Sequence, residues 1–221
     1  MRLDKVIWFG AAGLLGALAY WKRDSIIATL DQLVIRLAGK RVAVLGERHV
    51  GKTVLLKFLA DGEIPSEYMQ TLLPENVAGK RLAFGDLKLD LKGTRDLPGG
   101  HDAITEWKKL HDEADYVLYL VNAQRVDPRR ITRDLTQLEG WSNARKSPPK
   151  LAVIVTHMDL NPAYVQTPPS AMGDFRDRFV KMNLDAGLSK LSSRPPVLLG
   201  SLADKTQATK LVTSLIGALT Q

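Results

Sequence analysis

Arg41-Val42-Ala43-Val44-Leu45-Gly46-Glu47-Arg48-His49-Val50-Gly51-Lys52-Thr53-Val54 is the stretch that decides how the rest of the chain folds. An apolar run, Val42 to Leu45, breaks at Gly46. Glu47, Arg48, His49 and Val50 follow, then Gly51, Lys52 and Thr53, and residues 54–60 read as helix. Strand, G-x-x-x-x-G-K-[ST] and helix, in that order, form the context of a phosphate-binding loop. Each residue type has a task there. The glycines let the backbone curl until successive N–H groups point at phosphate oxygens. The helix N-terminus adds partial positive charge, Lys52 adds a full one, and the Thr53 hydroxyl can ligate Mg²⁺. The ligand expected from this stretch is a nucleoside triphosphate.

Further along, strand and helix patterns alternate. Ile104, Trp107, Leu110 and His111 mark a helix, and residues 116–121 are a nearly unbroken apolar run, as in a central strand of a parallel sheet. Pro128 opens another helix, with Ile131, Leu135, Leu138 and Trp141 on one face and Arg125, Arg129, Arg130 and Arg133 expected on a solvated one. Residues 151–155 read as the next buried strand, 161–170 as a polar, proline-rich loop and 174–182 as helix. A last strand at 196–199 precedes a closing helix at 204–219, with Leu211, Leu215, Ile216 and Leu219 inward. Earlier in the chain, Leu82 and Phe84, then Leu87, Leu89 and Leu91, alternate with polar residues. That is an antiparallel strand pair turning near Gly85-Asp86. The expected fold is α/β, a P-loop three-layer sandwich with a mostly parallel central sheet over residues 40–221, preceded by an N-terminal hydrophobic helix.

Three further segments carry chemistry. Asp96-Leu97-Pro98-Gly99 follows the second strand of the pair, where a carboxylate can hold Mg²⁺ through water and the Gly99 N–H can meet a terminal phosphate. Residues 61–80 form a polar loop in which Thr71 is either a ligand to Mg²⁺ and the terminal phosphate or an ordinary surface threonine. Thr156-His157-Met158-Asp159 ends a strand. The Asp159 carboxylate can accept from guanine N1–H and the exocyclic amine; adenine, with an acceptor at N1 and no 2-amino group, would be rejected. The alternative for Asp159 is a strand-end carboxylate that caps the next turn.

Together with Ser201-Leu202-Ala203, these segments resemble the small GTPase superfamily in content and order. The resemblance implies that Gly46 to Thr53 holds phosphates, Asp96 to Gly99 serves Mg²⁺ and the terminal phosphate, Thr156 to Asp159 selects guanine, and Ser201 to Ala203 backs the base. The chain departs from the family at Thr156-His157, where Asn-Lys is usual; His157 would still stack on the base. Gly100 stands where Ras-like members place a water-orienting glutamine, so His101, one residue later, is the candidate for that role. Arg48 replaces a glycine and would either act as an arginine finger in cis or crowd the attacking water. Lys52, His101 and Arg48 are therefore the candidate catalytic groups.

Residues 6–21 contain no charge and carry Trp8, Tyr20 and Trp21 near their ends, with Lys5 and Lys22 flanking. The segment is short against the ~20 residues of a full span, and three readings compete: a membrane anchor, a cleaved signal peptide and a buried core helix. Residues 1–23 are taken as the anchor and 24–39 as an amphipathic linker helix. Basic residues concentrate after the apolar segment, which places the nucleotide domain in the cytoplasm. This layout, with Asp-Leu-Pro-Gly, resembles the beta subunits of signal-recognition-particle receptors. The net charge of +7 is spread out and lacks an RNA-binding aromatic signature, so membrane proximity is expected rather than nucleic acid. Absence of cysteine excludes disulfides and thiolate metal sites. The function expected is a membrane-anchored, GTP/GDP-binding switch with slow Mg²⁺-dependent hydrolysis. Its protein partner would read residues 61–80 and 96–112. The alternative is a non-hydrolysing, nucleotide-bound structural module; an ATPase is disfavoured by Asp159.

Overall fold

β1 (Val42–Gly46) is buried along its whole length, because its alternate side chains enter two different cores. A computed structural model describes residues 40–62, 64 and 101–219 of the chain. β1 pairs in parallel with β2 (Tyr116–Asn122), β2 with β3 (Lys150–Thr156), and β3 with β4 (Val197–Leu199). Among the described residues the sheet order is β1-β2-β3-β4. Val42, Val44, Leu118, Leu120, Ala152 and Ile154 face one core; Ala43, Leu45, Val117, Tyr119, Val121, Val153 and Val155 face the other. Burial on both faces explains why these strands read as continuous apolar runs.

The first core is closed by α1 (Lys52–Asp61), through Leu55 and Phe58, and by the C-terminal helix α7 (Lys205–Leu219), through Leu211, Leu215 and Leu219. The second is closed by α2 (His101–Glu113), α3 (Pro128–Asn143), α5 (Met172–Asn183) and α6 (Asp185–Leu188). Helices therefore cover both faces, and the layers are those expected. α3 begins where Pro128 places it: Asp127 Oδ1 accepts from the Arg129 and Arg130 backbone N–H groups at 3.0 and 3.2 Å.

Two details differ from the sequence reading. The proline-rich stretch at 161–170 contains a short helix, α4 (Pro162–Gln166), because Asn161 Oδ1 caps it at Tyr164 N, 3.2 Å away. Arg130 is half-buried and ion-paired to Glu47 of the loop after β1, whereas Arg125, Arg129 and Arg133 are exposed. The anchor (1–23), the linker (24–39), most of the 61–80 loop and the strand pair at 82–91 lie outside the described residues. None of the described helices is long and apolar enough to cross a membrane.

Gly46 is the point where β1 becomes loop, at φ +142, and a Cβ there would collide with the Leu120 carbonyl oxygen across the sheet. Gly46→Ala should therefore cost about 3 kcal/mol or more, from backbone strain and backbone displacement together. Urea unfolding monitored by circular dichroism measures it; an unchanged midpoint would place the strand end differently.

His111 is 1% exposed beneath α3, with Nε2 at 3.1 Å from Ser142 Oγ and its ring against Trp141. Its Nδ1 is buried with no hydrogen-bond partner among the described residues. Burial holds the imidazole below its ordinary value of 6.5, against the pull of the neighbouring Asp112. The unfolded chain thus binds more protons than the folded one just below that value. Stability is full above it and falls as the pH drops through it. His111→Leu should flatten the fall in unfolding free energy as the pH drops below 6.5. His157, also lowered by burial, keeps part of the slope. An unaltered slope in the variant would contradict this.

Candidate functional site

Register fixes the site. Gly46 lies level with Leu120, and Asn122 level with Thr156, so the loops after β1, β2 and β3 leave the same edge of the sheet. In open α/β sheets that edge, at the carboxyl ends of the strands, is where ligands bind.

The loop after β1 is a tight arc. His49 (φ 60) and Gly51 (φ 86) both adopt left-handed backbone, and Gly51 forms the N-cap of α1. Lys52 is 8% exposed, and its Nζ donates to the carbonyls of Gly46 at 3.1 Å and Glu47 at 2.6 Å. The ammonium is therefore drawn back across the arc it belongs to. Among the described residues no side chain caps α1, and no acidic residue lies in its first turn. A helix leaves its first N–H groups without intrahelical acceptors, so this terminus is suited to an anion. Thr53 is exposed on the same turn.

Two neighbouring strand ends tie this arc down. Asn122 Nδ2 donates to His49 O at 3.3 Å while its Oδ1 accepts from Gln124 N at 2.8 Å. Thr156 is 1% exposed, and its hydroxyl lies 2.9 Å from Val50 O and 3.2 Å from Val121 O. The hydroxyl has a single proton for those two carbonyls. His157 Nδ1, at 2.9 Å, is then satisfied as donor to Thr156 Oγ1, and Nε2 is left as an acceptor. Burial lowers the His157 imidazole, with Asp159 pulling the other way. His157 itself has left-handed backbone (φ 59) and leads into the 3₁₀ turn Met158–Leu160, which carries the half-buried Asp159.

The loop after β4 completes the edge. Met158 N donates to Gly200 O at 3.1 Å, and Ser201 Oγ accepts from Ala203 N at 3.0 Å. Leu202 reaches the arc at 46–53, since a Cβ on Gly51 would meet Leu202 Cδ1 at 3.0 Å. The segments singled out in the sequence at 46–53, 156–159 and 201–203 are thus adjoining. Thr71, Asp96 and Gly99 lie outside the described residues, as does the side chain of His101 at the start of α2. Arg48 is exposed on the arc. Asn122, Asp134 and Tyr119 escaped the sequence reading, which took Arg130 only as part of a solvated face; a lone amide closing an apolar strand and an Asp-Pro helix start were the available signals.

No family model matches the chain, and no curated protein matches it. Solved structures are similar to it. One is an ADP-ribosylation-factor-like GTP-binding protein, the small COPII coat GTPase Sar1 of Encephalitozoon cuniculi in complex with GDP. It is 15% identical, with 95% of each chain covered and a TM-score of 0.45. Two single-site variants of SsGBP are 16% and 14% identical, with TM-scores of 0.46 and 0.45. The alignments cover 81% and 82% of this chain and 55% and 57% of theirs.

The donor set bears on a metal as well. Among the described residues no group of three or more His, Asp or Glu side chains could hold one. Mg²⁺ on a polyphosphate keeps several waters and asks the protein for one or two oxygens, which the exposed Thr53 hydroxyl fits.

Proposed function

We propose that the chain is a guanine-nucleotide-binding switch, held at a membrane by residues 6–21 and slow to hydrolyse GTP. The observation that carries the reading is the arc at 46–53: an uncapped helix start and a buried ammonium, fixed by Asn122 and Thr156. The α1 N-terminus and Lys52 bind and orient the phosphates and oppose the charge that develops on them. Thr53, Asp96 and Thr71 are the residues that would hold Mg²⁺, which when bound would neutralise charge on the polyphosphate. Asp159 selects guanine, His157 flanks the base, and the loop at 201–203 backs it. His101 orients water. The 61–80 loop is the nucleotide-dependent segment, and a partner protein reads residues 61–80 and 96–112.

A second reading keeps the nucleotide and drops the chemistry, making the chain a structural module of a membrane complex. Arg48, exposed on the arc, and Gly100, where a glutamine would orient water, favour it. Denaturing the purified chain and identifying released nucleotide tests the binding claim; release of guanosine nucleotide is expected, and adenosine nucleotide in its place would contradict it. Phosphate release from Mg²⁺-GTP, with and without added cell membranes, separates the two readings. Slow release supports the switch, and none under either condition leaves the structural module.

A further inference from the structure

Glu47 directly follows Gly46 and so adds a negative charge to the loop read as receiving phosphates. Two cations hold that one residue. Its backbone carbonyl accepts from Lys52 Nζ at 2.6 Å, and its Oε1 accepts from Arg130 Nη1 at 2.5 Å, from a helix 83 positions along the chain. Behind that contact, the buried Arg130 Nε lies 3.7 Å from Asp134 Oδ2, an ion pair with no hydrogen bond, and Arg133 shares that carboxylate at 3.4 Å. Asp134 is 9% exposed and accepts from the hydroxyl of Tyr119 on β2 at 2.9 Å. A row of polar groups therefore runs from the middle strand through α3 to the loop.

We propose that Arg130 is a positioning residue of the phosphate loop, neutralising Glu47 and holding it aside so that a polyphosphate can enter. The inference rests on the nucleotide reading above. The Arg130 and Glu47 side chains are 35% and 40% exposed, and a pair so wetted adds little to folding stability. Its effect lies in the field at the cradle. An unscreened carboxylate within the ~8 Å reach of charge at physiological salt repels a polyanion directly. Asp134, itself bonded to Tyr119, lies behind the guanidinium on the side away from Glu47.

The test uses the full chain in detergent, with a fluorescent GTP analogue and Mg²⁺, comparing Arg130→Met, Glu47→Gln and the double variant. Arg130→Met should bind about tenfold more weakly at low salt, with a deficit that shrinks as salt is added. Glu47→Gln should bind at least as tightly as the parent, and the double variant should recover to within about twofold of Glu47→Gln, since no carboxylate remains to repel. A double variant as weak as Arg130→Met, or a deficit indifferent to salt, overturns the proposal and leaves Arg130 a packing residue. If Arg130→Met does not fold, Arg130→Lys keeps the charge and must retain affinity. Parental protein that binds no guanosine nucleotide defeats the nucleotide reading itself; parental binding with unaltered Arg130→Met binding defeats only the role of Arg130.

Discussion

Lys52→Met should lower affinity for Mg²⁺-GTP by on the order of 100-fold or more, since charge-assisted hydrogen bonds contribute about 1.5–3 kcal/mol each and the charge itself is lost. Methionine keeps the buried stem, so the change isolates the ammonium from the packing around it. In the structure that ammonium spans the carbonyls of Gly46 and Glu47, within the arc where phosphate oxygens would lie. Losing it also leaves those two carbonyls without their donor, and some stability goes with it. Unfolding midpoints must therefore be measured beside the binding curves, and the affinity loss compared at a temperature where both proteins are folded. A folded Lys52→Met that binds as the parent does would mean that the arc grips something other than phosphate.

Asp159→Asn should exchange the base that is recognised. A carboxylate accepts from guanine N1–H and the 2-amino group. An amide offers one acceptor and one donor, which suits xanthine, with N1–H beside a carbonyl. Loss of guanine affinity on the order of 100-fold, with gain for xanthosine triphosphate, is expected because an unmatched polar pair in a site is strongly rejected. The backbone there is well anchored. Asp159 sits in a turn that begins at the left-handed His157 and is tied by Thr156 to the arc at 46–53, and Met158 N holds the Gly200 carbonyl. Competition of xanthosine and guanosine triphosphates against one fluorescent probe reads the exchange. Equal guanosine affinity in the variant would return Asp159 to a turn-capping role.

The sheet was legible because its strands are buried on both faces. Residues 116–121 and 151–155 could only be central strands, and they fall within β2 and β3. The helix opened by Pro128 was legible from Ile131, Leu135, Leu138 and Trp141, all of which are buried. Local pattern could not reveal ties between distant segments. The contact of Arg130 with Glu47 spans 83 positions and that of Thr156 with Val50 spans 106, so neither leaves a periodic trace. Arginines at helical spacing next to an exposed turn look like a solvated face until the loop from another strand end is brought beside them. The same holds for Asn122, whose amide reads as a strand terminator until His49 O appears opposite it. The short helix at Pro162–Gln166 was hidden by composition, since prolines that open a helix also punctuate loops.

The central claim is that one edge of the sheet grips a polyphosphate and selects the guanine attached to it. Isothermal titration of the detergent-purified full chain, stripped of nucleotide, with GTP and then ATP in Mg²⁺ tests it most directly. The account predicts one GTP per chain, bound at least about 100-fold more tightly than ATP, as expected when buried polar groups choose between bases. Equal heats and affinities for the two nucleotides, or no binding of either, would contradict it.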